Sequence, residues 1–145
     1  MKKMILILGM TLSMSFAFAG EENISPKVLD AFEKEFSTAK EVEWSTSVNY
    51  YKAAFTFNGN HVFAFYNMDG ELLGLTRYIS SLDLPIGLQK DLRNDYSTYW
   101  ISDLFEVANN EGTAYYITLE NANAKIVLRA ADAKKWETFK KISKA

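Results

Sequence analysis

The chain contains no cysteine, two prolines and a single histidine. Without cysteine there are no disulfides, no thiol nucleophile and no thiolate metal site, so the fold must be held by its core alone. The lone histidine, His61, follows a tight turn and reads as an exposed hairpin residue. No Ser-His-Asp set can be assembled around it without choosing the serine and aspartate arbitrarily. One histidine also supplies transition-metal sites poorly. An excess of basic charge is missing too: 16 Lys and Arg against 18 Asp and Glu give a net charge of −2. Nucleic-acid binding needs a clustered basic face, and the local run Lys134, Lys135, Lys140, Lys141 and Lys144 reads as a solvated one. No glycine-rich phosphate loop is present. Asn67, Asp69 and Glu71 lie around Gly70 but lack the twelve-residue calcium-loop pattern, so they read as a turn. No catalytic, cofactor-binding or metal-ligating residue is assigned, no cofactor is expected, and the chain is read as non-enzymatic.

What is present begins with an export signal. Lys2 and Lys3 precede an uncharged run from Met4 to Phe18, and Ala17-Phe18-Ala19 forms a small-x-small cleavage site. Residues 1–19 are therefore expected to be removed between Ala19 and Gly20, leaving a periplasmic or secreted protein. The run is too short and wrongly flanked for a stable membrane span. The remainder, 20–145, is one domain with a net charge of −4, in a chain that is 48% apolar.

That domain repeats one plan, in halves of approximately 25–82 and 83–145. Val28, Phe32 and Phe36 have helical spacing, as do Leu88, Leu92 and Tyr96. Phe36-Ser37-Thr38-Ala39 is echoed 60 positions later by Tyr96-Ser97-Thr98-Tyr99, and matching hairpin and turn phrases follow in order. Ser25-Pro26 and Leu84-Pro85 are helix starts. Asn58-Gly59 and Asp69-Gly70 mark hairpins between alternating runs. Trp100 to Ala108, Thr113 to Glu120 and Ala124 to Ala131 read as further strands. Asp132 to Ile142 has good helix formers, with Trp136 and Phe139 three apart, whereas the repeat favours a strand. The expected fold class is α+β: two helices on one face of an antiparallel sheet of about eight strands.

Phe32, Phe36, Ala39, Val42 and Trp44, a tyrosine-rich hairpin, the turn Tyr66-Asn67-Met68-Asp69-Gly70 and Leu84-Pro85 stand here in order. Together they resemble the PepSY-like, β-lactamase-inhibitor-like exported proteins of Bacteroidetes. The resemblance implies a tandem helix-plus-antiparallel-sheet module, as in β-lactamase inhibitory protein, whose sheet grips a partner through exposed aromatics. PepSY domains are also associated with protease propeptides and envelope regulation. The inhibitory protein is disulfide-bonded, which this chain is not, and a shared fold does not carry an activity with it.

The aromatic surplus is the main functional clue. A two-residue turn at Asp69-Gly70 would set Val62, Ala64, Tyr66, Leu73 and Leu75 on one sheet face. His61, Phe63, Phe65, Leu72 and Tyr78 would then share the other. Both faces are apolar, whereas a half-buried sheet shows one polar face. One reading is a binding face; the other is a thick core closed by loops, by the other half or by a dimer partner. The side joined by Tyr51, Phe55 and Phe57 depends on whether the Asn58-Gly59-Asn60 turn holds two or three residues. Tyr50, Lys52, Phe63, Phe65 and Tyr78 are the candidate contacts for a protein partner in the cell envelope. The alternative is a carrier or sensor for a small apolar or aromatic ligand, which requires a cavity of several hundred cubic ångströms.

Overall fold

The computed structural model describes residues 17–19 and 23–144. Residues 1–16 of the expected export segment, and Gly20 at the expected cut, lie outside the described residues. No described helix is long and apolar enough to cross a membrane. The strands are β1 (Ala17–Ala19), β2 (Lys40–Thr46), β3 (Tyr51–Phe57), β4 (Asn60–Tyr66), β5 (Leu72–Tyr78), β6 (Trp100–Asn109), β7 (Gly112–Glu120), β8 (Ala124–Ala131) and β9 (Glu137–Ser143). The helices are α1 (Pro26–Glu35) and α2 (Ile86–Asp95), with a short 3₁₀ turn at Ser81–Asp83. Two helices and eight antiparallel strands from Lys40 onward make the α+β fold that the sequence predicts, with strands neighbouring in chain order. The chain divides into two compact units, Met1–Leu75 and Thr76–Ala145.

In the first unit α1 starts at Pro26, where the missing N–H costs nothing, although Ser25 makes no side-chain cap. Its apolar stripe buries Val28 and Phe32, and Phe36 continues it. The Phe32 ring meets Trp44 at 5.2 Å and Phe55 at 4.9 Å, and Phe36 meets Phe57 at 5.3 Å. The Asn58-Gly59 turn holds two residues, both at positive φ, and pairs Phe57 with Asn60. That register puts Tyr51, Ala53 and Phe55 opposite Tyr66, Ala64 and Val62. Tyr51, Phe55 and Phe57 therefore join the helix side.

The next turn corrects the expected register. Asn67 N–H donates to Glu71 O at 3.0 Å and Gly70 N–H to Asn67 O at 3.2 Å, so the loop holds Met68, Asp69 and Gly70. Asn67 Oδ1 accepts from the N–H groups of Asp69 and Glu71, which fixes the three-residue form. Leu72 consequently packs against the α1 core with Tyr66, rather than sharing the face of Phe63 and Phe65.

In the second unit α2 buries Leu88 against Leu104, Ile117, Leu119, Ile126 and Leu128. Gln89 Nε2 donates to Leu84 O at 2.8 Å and Leu82 O at 3.3 Å, tying the 3₁₀ turn to the helix. The two echoed phrases make the same turn: Ala39 N–H donates to Phe36 O at 3.0 Å, and Tyr99 N–H to Tyr96 O at 3.1 Å. Each turn leads into a strand with a register irregularity, at Lys40/Glu43 and at Ile101/Asp103. The contested C-terminal segment is strand β9. Trp136 stands just before it, its Nε1 donating to Leu88 O at 3.1 Å, so its spacing to Phe139 reflects two different packing partners and not one helix face.

Candidate functional site

In each unit the strand face turned away from that unit's helix carries the candidate residues. In the first unit the ladder aligns Ser45 with Lys52 and Phe65, and Glu43 with Ala54 and Phe63. Tyr50 closes on Phe65 edge-to-face at 5.8 Å. Both are interior: Tyr50 is 6% exposed and Phe65 4%. Burial raises the Tyr50 hydroxyl pKa above the ordinary tyrosine range, opposed by a hydrogen bond with Ser47. Lys52 and Phe63 are half-buried, with Nζ 4.8 Å from the ring centroid, a cation–π placement. Burial pulls the Lys52 ammonium below the usual lysine range. His61 packs edge-on against Phe63 at 5.0 Å.

These side chains border a cavity of about 360 Å³ on that face, walled by Glu43 and Ser45 of β2, Lys52 and Thr56 of β3, and His61 and Phe63 of β4. Charges of both signs sit at its rim around an aromatic floor. Among the described residues His61 has no hydrogen bond to a hydroxyl or carboxylate, and no group of three or more His, Cys, Asp or Glu could hold a metal.

Tyr78 belongs to the second unit. It is 63% exposed and sits 6.3 Å from Phe105, edge-on. Phe105 stacks on Tyr116 at 5.3 Å with planes 9° apart, and Tyr116 meets Phe139 at 5.5 Å. Arg129, opposite Tyr116 in the ladder, donates from Nε to its hydroxyl at 3.0 Å. A row of four rings thus runs Tyr78, Phe105, Tyr116, Phe139, on the face away from α2. Burial raises the pKa of Tyr116, against the influence of Arg129, and that of Asp103 on the same face. Burial, followed by the charge of Asp103, raises the pKa of Tyr78.

Of the five candidates, Tyr50, Lys52, Phe63 and Phe65 come together, and Tyr78 anchors a second group that sequence reasoning did not nominate. Phe105, Tyr116, Phe139 and Arg129 complete that second group. A signal existed: Leu104-Phe105 and Tyr116-Ile117 make both faces of β6 and β7 apolar, as in β4. The second unit also has a cavity of about 560 Å³ on its helix side, lined by Leu82, Leu92, Tyr96, Tyr99 and Ile101 among others.

No family model matches the chain, and no curated protein matches it. Solved structures do. A BLIP-like protein from Bacteroides fragilis is 18% identical, with a TM-score of 0.70 over 83% of this chain and 86% of that one. A DUF2874 family protein from Bacteroides ovatus is 19% identical, with a TM-score of 0.73 over 83% and 88%. A protein from Bacteroides eggerthii, provisionally named periplasmic, is 18% identical, with a TM-score of 0.70 over 83% and 88%. None of these names states a reaction. The likeness establishes the fold, and it agrees with the resemblance read from the sequence.

Proposed function

We propose, from the premise of that BLIP-like fold, that the chain is an exported, non-enzymatic binding module acting on a protein of the cell envelope as inhibitor or regulator. The observation that carries this reading is the ring row of the second unit. Phe105 and Tyr116 are buried and stacked, and they hold Tyr78 outward at its end. A rigid aromatic of this kind offers contact area at low entropy cost, the character of an interface anchor. Half-buried Phe63 beside Lys52 offers a second such group in the first unit.

The test is affinity capture from native envelope with the chain beginning at Gly20, run beside Tyr78→Ala and Phe63→Ala. The expected result is one protein retained by wild type and lost from a folded variant, with at least tenfold weaker affinity once that protein is purified. Identical capture by all three chains would overturn the proposal. A second reading, a carrier of a small apolar ligand, is favoured by the 560 Å³ cavity, which lies in the usual range for small-molecule sites. Saturable binding of an apolar fluorescent probe, abolished by Leu82→Glu, would favour it over the first.

A further inference from the structure

The outer edge of β2 is guarded along one half and bare along the other. Lys40 to Glu43 carries three charges and a bulge, with Glu41 at φ 54°. Trp44-Ser45-Thr46 has no charge, proline or register shift. Strand β9 is defended differently, by Lys140, Lys141 and an irregular register against Val127 and Leu128. Charges and bulges are what keep an edge from recruiting foreign strands, and the stretch from Trp44 to Thr46 has neither.

In the structure this bare stretch is occupied. Ala17 pairs antiparallel with Thr46, Phe18 with Ser45 and Ala19 with Trp44. Those three residues are the last of the expected export segment, and the expected cut follows directly. Cleavage there strips the pairing strand and leaves the outward N–H and C=O groups of Trp44–Thr46 without ladder partners. The edge also borders the 360 Å³ cavity, since Glu43 and Ser45 line it. Paired residues share a sheet face, so a residue set opposite Ser45 is directed to the cavity side.

We propose that Trp44–Thr46 in the mature chain is a strand-accepting site for an extended segment of a partner protein, pairing antiparallel. Its preferred sequence is small-apolar-small, with the large apolar residue opposite Ser45 and held at the cavity bordered by Lys52 and Phe63. A fourth residue in this register lies opposite Glu43, so a basic residue is favoured there. Main-chain hydrogen bonds would supply affinity, and the cavity with Glu43 the specificity. The site is separate from the Tyr78 row, and either can fail alone.

The test titrates isotope-labelled chain beginning at Gly20 with a synthetic peptide of residues 15–20, followed by amide NMR and hydrogen exchange. Saturable shifts and new protection centred on Trp44–Thr46 are expected, with affinity falling at least tenfold for the Phe18→Pro peptide and rising for the Gly20→Lys peptide. The proline substitution is placed in the peptide, so loss of binding cannot come from a misfolded protein. Absence of saturable shifts, shifts centred elsewhere, or equal binding of the proline peptide would overturn the proposal. So would protection of these amides by self-association alone, which would make a second copy the occupant. Tyr78→Ala should leave the peptide affinity unchanged, separating this site from the proposed partner face.

Discussion

Phe105 and Tyr116 face each other across β6 and β7 with centroids 5.3 Å apart and planes 9° apart. The pair is buried although it lies on the strand face opposite α2. The second face of this unit is therefore a packed layer, and Tyr78 at its margin is the accessible ring.

That division separates stability from binding. Phe105→Ala should cost about 3–5 kcal/mol, as truncation of a buried aromatic does. Tyr78→Ala, largely exposed, should cost less than about 1 kcal/mol. Urea denaturation of both variants checks the contrast, and equal losses would place Tyr78 in the core. Phe65→Ala belongs with Phe105→Ala because its ring is interior.

Tyr66 fills the centre of the first unit, and its hydroxyl has no hydrogen-bond partner among the described residues. Burial, followed by the charge of Glu35, drives its pKa far above the tyrosine range. Removing an unsatisfied buried hydroxyl relieves a desolvation cost. Tyr66→Phe should thus be neutral or stabilising by up to about 1 kcal/mol in the same assay.

Gly70 lies at φ 85°, and a Cβ there would stand 2.9 Å from the Lys27 carbonyl oxygen. Gly59 has a similar φ of 80° with nothing within 4 Å. Gly59→Ala should cost about 1 kcal/mol for the backbone alone, and Gly70→Ala distinctly more, because the α1 backbone must move as well. Thermal melts of the two variants test the order.

Asp103 is half-buried, and desolvation raises its carboxyl pKa against the opposing effects of the Leu104 N–H and Lys125. The folded chain then keeps this proton at pH values where the unfolded chain, near about 3.9, has released it. The group's contribution is complete below that unfolded value and is lost as pH rises through the folded one. Asp103→Asn removes the loss, so the variant should melt higher than wild type at pH 7. The difference should shrink below about pH 3, which melting across that range would show.

Much of the local structure was legible. The i, i+4 spacing of Val28 and Phe32 and of Leu88 and Leu92 marked both helices, and Asn58-Gly59 admitted the two-residue turn that formed. Met68-Asp69-Gly70 was not legible in the same way. Its sequence suits a two- or three-residue loop, and the choice rests on where the Asn67 side chain bonds. One residue of difference moved Leu72 to the other face.

The candidate site was legible as a surplus of rings and not as an arrangement. Phe63 and Phe65 share a face by strand alternation, yet one is half-buried and the other interior. Alternation assigns a side chain to a face and leaves open what closes over it.

The sequence by itself determined the helices, most of the strands and the α+β class, because turn chemistry and hydrophobic period act between residues a few positions apart. Tertiary structure alone decided which aromatics are buried, which turn length sets the register, and that Ala17–Ala19 seats on Trp44–Thr46. Those outcomes depend on packing and pairing between residues far apart in the chain, where no local pattern carries the information.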